Sequence, residues 1–428
     1  MGAAVAESDW PQFRGPTGDG IVASQRPPTH FGSGQSHLWS VELPGKAWSS
    51  PIVVEDEIWM TTAIEILPTD EERLELLRKT ANEEKKFKQL AIAKSVELKA
   101  LVVDCSSGEL TRTIDLTTVV EPDAIHSLNS YASPTPTTDG DTVYCHFGTF
   151  GTFAIQRSTG DIAWQRVLPL QHAVGPGSSP FLLGDRLILI QDGMERQYVT
   201  ALNKQTGQTL WESDRPPMDA PTGDQMKSYC TPIEIKDPSG RPQLICMGAQ
   251  WMVSYDADSG DEIWRIRHGR GFSVVPRPVY RDGTLYFATG FGSMELWAVR
   301  VDGEGDVTDS HVVWTISRGV PAKPSPLLLQ DRLYVVDDNG VASCLDIHDG
   351  STVWKKRLGG KFSSSPIFAG GHIYFGNHDG DVFVMTPGDE PEVVVTNELD
   401  DQIMASPVVI DHTLIIRTAS ALHRFGDS

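Results

Sequence analysis

Basic residues recur just before a repeated proline in this sequence. Eight prolines follow a small or polar residue and precede an apolar run, and seven of the eight loops before them contain Lys, Arg or His. These basic residues are Lys46, His126, His172, Lys227, Arg270 with Arg277, Lys323 and Lys361. If the fold brings the loops together, their summed charge would attract an anion. The alternative is that they are ordinary solvated loop tips, which often carry charge.

The same loops also carry flat or amide side chains. They are Trp48, Asn129, Tyr131, Tyr229 and Phe272. Aromatic faces next to cations suit an acidic peptide, a sugar acid or a planar anion. We therefore predict one ligand-binding mouth built from the basic residues and these neighbours.

Three acidic residues could offer oxygen ligands to calcium. Asp192, Asp338 and Asp379 each lie within two residues of a glycine in a short polar turn. Calcium binds carboxylate and carbonyl oxygens. Asp-Gly and Asn-Gly are also the usual sequences of tight hairpin turns, and this second interpretation is the stronger. We predict no metal site and no catalytic residue, because the sequence holds no GxSxG or HExxH motif.

The repeated prolines define the elements that would position the loops. They are Pro51, Pro134, Pro180, Pro232, Pro278, Pro326, Pro366 and Pro407, and all intervals but the first lie between 40 and 52 residues. Proline suits the first residue of a strand, and each repeat has room for four short strands. We predict an all-β, eight-bladed propeller with four-stranded antiparallel blades.

A second motif places glycine four residues before tryptophan. It occurs at Gly160 and Trp164, and again at 207–211, 260–264 and 350–354. Glycine favours a tight turn, and the large indole can bury itself against the neighbouring repeat. The tryptophans that we expect to join repeats are Trp39, Trp164, Trp211, Trp264, Trp314 and Trp354.

Two segments depart from the repeat. The strand-like segment 37–43 precedes the first repeat, and the last repeat lacks a fourth strand, so we predict that 37–43 completes it and closes a propeller spanning 37–428. Residues 68–100 are predicted to form a helical insertion in blade 1, with Thr69 and Glu72 as a capping box and Leu74, Leu77 and Ala81 at helical spacing. Its dense mixed charge favours a solvated surface, and docking of a partner is the alternative. Residues 1–36 are predicted to be a leader segment packed on the propeller.

The repeats resemble those of the PQQ-like β-propeller superfamily. "ALNKQTGQTLW" at 201–211 is similar to its Ala-x-Asp-x-x-Thr-Gly-x-x-x-Trp pattern, and "CLDIHDGSTVW" keeps the aspartate as Asp346. The superfamily includes quinoprotein dehydrogenases, which bind pyrroloquinoline quinone and calcium, and the cofactor-free outer-membrane assembly protein BamB. The opening "DWPQFRGPTGDG" resembles the leader of secreted propellers of planctomycete-type bacteria. The resemblance implies a non-catalytic extracytoplasmic binding propeller without a cofactor, or alternatively a dehydrogenase acting on alcohols or sugars.

The composition of the chain limits the classes of partner that it could bind. The formal net charge of −21 over 428 residues argues against nucleic acid, which needs a cationic surface. No apolar run is long enough for a transmembrane helix, and the first ten residues lack the pattern of an export signal. Cys230 and Cys246 could form a disulfide or remain two buried thiols. We expect a monomer located outside the cytoplasm that binds a protein or an anionic carbohydrate.

Overall fold

Eight four-stranded antiparallel blades follow one another along the chain, so the predicted eight-bladed propeller is confirmed. Short parallel strands at Gly305–Asp306 and Ile21–Val22 add a fifth strand to the sheets of blades 4 and 7. The computed structural model describes residues 9–32, 34–80, 84–172 and 174–427. In blades 1 to 4 the strands, from the axis outwards, are Ile52–Val54, Glu57–Ile66, Ser95–Asp104 and Leu110–Val120; Thr137–Thr138, Thr142–His146, Thr152–Gln156 and Ile162–Arg166; Phe181–Leu183, Arg186–Asp192, Gln197–Asn203 and Thr209–Asp214; Ile233–Lys236, Pro242–Met247, Trp251–Tyr255 and Glu262–Arg267.

The remaining four blades have the same order, and the last takes its outer strand from the start of the chain. In blades 5 to 8 the strands are Val279–Arg281, Thr284–Ala288, Leu296–Arg300 and Val312–Ile316; Leu327–Leu329, Arg332–Val336, Val341–Asp346 and Thr352–Arg357; Ile367–Ala369, His372–Gly376, Asp381–Met385 and Val393–Glu398; Val408–Ile410, Thr413–Arg417, Ala421–Phe425 and His37–Glu42. His37–Glu42 pairs antiparallel with Ala421–Phe425 and so closes the ring.

A ring of hydroxyl groups links the inner ends of the blades. At seven of the eight inner strands, the backbone N–H that precedes the strand donates to a hydroxyl of the next blade, at 2.9–3.4 Å. The seven such bonds are Ser50 to Thr135, Thr135 to Ser179, Ser179 to Thr231, Arg277 to Ser325, Ser325 to Ser365, Ser365 to Ser406 and Ser406 to Ser50. Because Thr135 holds the ring position in blade 2, that blade starts at Pro136 and not at Pro134.

Indole groups connect the outer strands of neighbouring blades. Five of the six tryptophans named above donate their N–H to a turn carbonyl of the next blade, at 2.8–3.1 Å. The five pairs are Trp39 to Cys105, Trp164 to Lys204, Trp211 to Ala257, Trp314 to Ile347 and Trp354 to Gly388. The turn glycine is needed because it meets the indole of the preceding blade: a Cβ on Gly260 would lie 2.6 Å from the Trp211 ring, and its φ is +77°.

Blades 1 and 4 use different side chains at this contact. Arg112 stands where six other blades have tryptophan, and its guanidinium donates to the Arg157 carbonyl of blade 2 at 2.6 Å. Blade 7 has Val395 at this position. Trp264 is fully buried but donates to Gln243 of its own blade, and Gln243 then donates to the Val301 carbonyl of blade 5. The amide side chain of Gln243 therefore connects blade 4 to blade 5.

The leader segment occupies the axis of the propeller. Trp10 exchanges backbone hydrogen bonds with Val53 of blade 1, and Ile21–Val22 pairs parallel with Ile367–Ala369 of blade 7. Arg14 donates to the Pro326 carbonyl of blade 6 at 2.9 Å. The leader therefore fills the channel and touches blades on opposite sides of it.

The insertion in blade 1 is shorter than predicted. It contains an α-helix at Asp70–Thr80, a 3₁₀ helix at Glu84–Gln89 and a short strand at Leu90–Ala91. The predicted residues 95–100 belong instead to the third strand of the blade, Ser95–Asp104, in which Val96, Leu98 and Ala100 face the core on one side of the sheet. We therefore use "the insertion" for residues 67–94.

The insertion has its own small core. Thr69 and Glu72 exchange the two hydrogen bonds of a capping box. Leu76 and Leu77 are buried with Phe87, whereas Leu74 is 43% exposed, so the apolar face is rotated from the one predicted; Ala81 lies outside the described residues. The charged side chains Asp70, Glu75 and Lys79 of the helix are exposed, as expected of a solvated surface.

The remaining helices are short, and the cysteines are buried. Two further 3₁₀ helices lie at Gly148–Phe150 and Gly223–Gln225. In the described part of the chain, no helix has the length and apolarity to cross a membrane. All five cysteines are free buried thiols, so Cys230 and Cys246 do not form a disulfide.

Candidate functional site

The predicted mouth residues fall into three groups. Arg277 lies on the axis, five residues lie under or beside the insertion, and the others are accessible at the mouth. In this topology the loops that enter the inner strands and the turns between the second and third strands lie on the same face, so the mouth is at that face.

Arg277 does not belong to the mouth, contrary to the prediction. It is 2% exposed and replaces the ring hydroxyl in blade 5. Its guanidinium donates to the Pro232 carbonyl and, in the leader, to the carbonyls of Phe13 at 2.9 Å and Gly18 at 3.1 Å. A Cβ on Gly18 would lie 2.2 Å from that guanidinium. Arg277 therefore holds the leader in the channel.

The accessible residues of the mouth form what we call the open cluster. Its members are Lys46, Trp48, Leu128, Arg270, Phe272, Lys323 and Lys361.

One part of the open cluster combines a cation, an indole and an aliphatic side chain. The Lys46 ammonium lies 5.6 Å from the centre of the Trp48 ring. The Trp48 indole donates to the Leu128 carbonyl at 3.1 Å, and the Leu128 side chain is 52% exposed. This arrangement offers an apolar surface next to a positive charge. Leu128 was missed in the sequence because nothing local distinguishes it from a buried leucine.

A second part contains charges from opposite sides of the axis. Burial lowers the pKa of His126, which lies between blades 1 and 2, and Lys323 from the loop between blades 5 and 6 lowers it further. Burial, together with Lys323 and Lys361, lowers the pKa of His378 to about 4. His378 is therefore neutral at pH 7, and the lysines provide the charge.

The third part lies between blades 4 and 5. Arg270 is exposed, and Phe272 is partly buried. The backbone of Phe272 pairs with that of Phe291, whose side chain is 37% exposed. A second apolar surface thus lies beside a cation.

Two predicted ligand-binding residues support loops instead. Asn129 donates to the carbonyls of Val174 at 2.8 Å and Pro176 at 3.0 Å. Tyr131 is 1% exposed; its hydroxyl accepts from the Ala93 N–H and donates to the Asp123 carbonyl. These bonds fix the insertion and its neighbouring loops.

The three remaining residues form what we call the covered cluster: His172, Lys227 and Tyr229. His172 is 8% exposed and Lys227 is 0% exposed. Burial lowers the pKa of His172 to about 3 and that of Lys227 to about 8. At pH 7 the histidine is therefore neutral and the lysine mostly charged.

The acidic residues considered for calcium lie in three different blades. Asp192 pairs with Arg215 inside blade 3, and Asp338 pairs with Lys323 in blade 6. Asp379 lies in a turn of blade 7. Within the described ranges no group of three or more His, Cys, Asp or Glu residues could hold a metal ion. Calcium needs several oxygen ligands together, so the residues present do not fit it.

Comparisons with known structures match the fold over most of the chain. BamB from Moraxella catarrhalis aligns with a TM-score of 0.58 at 14% identity, covering 91% of this chain and 99% of that one. A europium-containing methanol dehydrogenase aligns with a TM-score of 0.64 at 11% identity, covering 99% and 98%. At these identities the likeness shows the fold alone.

Sequence comparison also identifies relatives named BamB. Outer membrane protein assembly factor BamB of Alkalilimnicola ehrlichii is 28% identical over 235 residues, which are 55% of this chain and 46% of that protein. The match thus spans less than half of that relative. A family model described as outer membrane protein assembly factor BamB matches residues 99–235 and 248–389, more than half of this chain. The chain therefore belongs to the family of the outer membrane protein assembly factor BamB.

Proposed function

We propose that this chain is a non-catalytic, extracytoplasmic propeller that binds a protein partner through the open cluster. The partner segment is acidic and contains apolar side chains. The relatives are named for outer membrane protein assembly, which supports a protein partner outside the cytoplasm.

The observation that supports this proposal most strongly is the composition of the open cluster. Four cations, two aromatic rings and an exposed leucine are accessible at one mouth of a chain whose net charge is −21. Apolar surface provides binding energy, and complementary charge provides orientation and a faster association rate. A long acidic segment with aromatic residues would use both.

Two other ligand classes are less well supported. An anionic carbohydrate would use the cations but leave Leu128 without a role. A dehydrogenase that uses pyrroloquinoline quinone and calcium shares the fold. In this chain, however, Asp192 and Asp338 are already paired with basic residues, so they do not form a calcium site.

Fluorescence anisotropy with a labelled peptide of alternating Asp and Phe tests the proposal. We expect saturable binding that weakens as sodium chloride rises, because salt screens exposed charges. The double variant Arg270→Glu with Lys361→Glu should bind at least about tenfold more weakly. Both side chains are exposed, so the fold should be retained.

A matched control changes the same net charge elsewhere. Lys236→Glu with Lys355→Glu alters two exposed lysines on strands outside the mouth and should leave the affinity within about twofold. Equal loss in both double variants would show that only net charge matters. Tighter binding of polygalacturonate than of the peptide would contradict a protein partner and favour a glycan.

A further inference from the structure

The covered cluster contains a buried ammonium without an acceptor. Lys227 is 0% exposed, and its Nζ has no hydrogen-bond partner among the described residues. A buried charge without a partner is costly, and burial usually removes the charge or supplies a counterion. The burial of Lys227 therefore points to a missing acceptor.

His172 supplies a second donor of fixed orientation. Its Nε2 lies 3.0 Å from the Thr149 amide and accepts that N–H. The neutral ring must then carry its proton on Nδ1, which is buried and has no partner in the described structure. Gly148 leaves space for the ring, since a Cβ there would lie 2.2 Å from Nε2.

Tyr229 supplies a third donor. It lies two residues after Lys227 in extended backbone, so both side chains are on the same side. Its ring packs on Gly177, where a Cβ would lie 2.9 Å from the Tyr229 Cβ. The hydroxyl is buried near Ser273 without a well-formed hydrogen bond.

The nearest carboxylates are already engaged. Asp192 pairs with Arg215 at 3.2 Å. Asp224 pairs with Lys86 of the insertion at 3.3 Å and accepts from the Thr222 hydroxyl. Among the described residues, the three donors therefore lack an anion of their own.

The cover over the cluster is a surface contact. The side chains of Lys86 and Asp224 are 40% and 27% exposed, and they join the insertion to the loop before Lys227. An exposed ion pair of this kind contributes roughly 1 kcal/mol or less, so it adds little to the free energy that holds the insertion in place.

We infer that Lys227, His172 and Tyr229 form a binding site for a small carboxylate beneath the insertion. The ammonium neutralises the charge of the ligand, and the imidazole N–H and phenol O–H donate to its oxygens. This site is separate from the open cluster and does not depend on the proposed protein partner.

Thermal unfolding with acetate tests the site at pH 7 and constant ionic strength. Acetate should stabilise the wild-type protein saturably, and acetamide, which has the same shape without charge, should not. Lys227→Met should weaken the effect of acetate at least about tenfold, as expected for a lost charged hydrogen bond. The exposed Lys236→Met is the matched control and should respond like the wild type.

Asp224→Asn distinguishes a ligand site from an internal ion pair. If the site binds an external carboxylate, this variant should bind acetate as tightly as the wild type or more tightly. An effect of acetate on Asp224→Asn alone would show that Asp224 is the acceptor for Lys227 and would overturn the proposal. An equal effect in the wild type and Lys227→Met, or no saturable effect, would also overturn it.

Discussion

The open and covered clusters come from the same kind of loop, yet their cations have opposite surroundings. Lys361 is exposed, whereas Lys227 is fully buried and lies close to Lys86 and Asp224, which connect to the insertion. The difference arises because the insertion extends from blade 1 to the loop between blades 3 and 4. The insertion of blade 1 therefore covers one part of the mouth and leaves the other part accessible.

Weakening the insertion core should make the covered cluster more accessible and so more like the open cluster. Leu77→Ala removes a fully buried side chain, so we expect the opening free energy of helix Asp70–Thr80 to fall by about 3 kcal/mol. Hydrogen exchange of the helix amides measures this quantity. Leu74→Ala is the control, because that side chain is 43% exposed and should change it by about 0.5 kcal/mol or less. Equal changes would mean that Leu77 does not anchor the insertion.

The buried charge should give the covered cluster a distinct pH dependence. Burial lowers the folded pKa of Lys227 from 10.5 to about 8, so above pH 8 the unfolded chain binds a proton that the folded chain does not. The unfolding free energy of the wild type should therefore rise relative to that of Lys227→Met, by about 2 kcal/mol from pH 7.5 to 9.5. Urea unfolding in carboxylate-free buffer measures it.

The control for this pH series is an exposed lysine. Lys236→Met should parallel the wild type throughout, because this side chain is exposed and lies outside the covered cluster. A constant difference between the wild type and Lys227→Met would show that Lys227 is not buried as a charged group.

Local patterns were sufficient to predict the blades. The prolines indicated where inner strands begin, and the Gly–Trp spacing indicated contacts between repeats, where indole N–H groups indeed reach the next blade. The segment 37–43 matched a missing strand in the last blade and pairs there. These inferences succeed because each repeat contacts mainly its neighbours.

The site was harder to predict because it depends on contacts between distant residues. Lys86 meets Asp224 across 138 positions of the chain, and Arg277 meets the leader across more than 250. No local pattern distinguishes Arg277 from Arg270, although one binds the leader and the other faces solvent. In blade 2 the sequence has two closely spaced prolines, and only the hydroxyl of Thr135 identifies the second as the start of the strand.

Lysine acetylation followed by mass spectrometry tests the division of the mouth most directly. An accessible lysine with a pKa of about 8 reacts faster than an ordinary lysine, because more of it is uncharged. The account nevertheless predicts that Lys227 reacts at least about a hundredfold more slowly than Lys361, since reaction requires the insertion to open. Modification of Lys227 at the rate of Lys361 or faster would contradict a covered cluster.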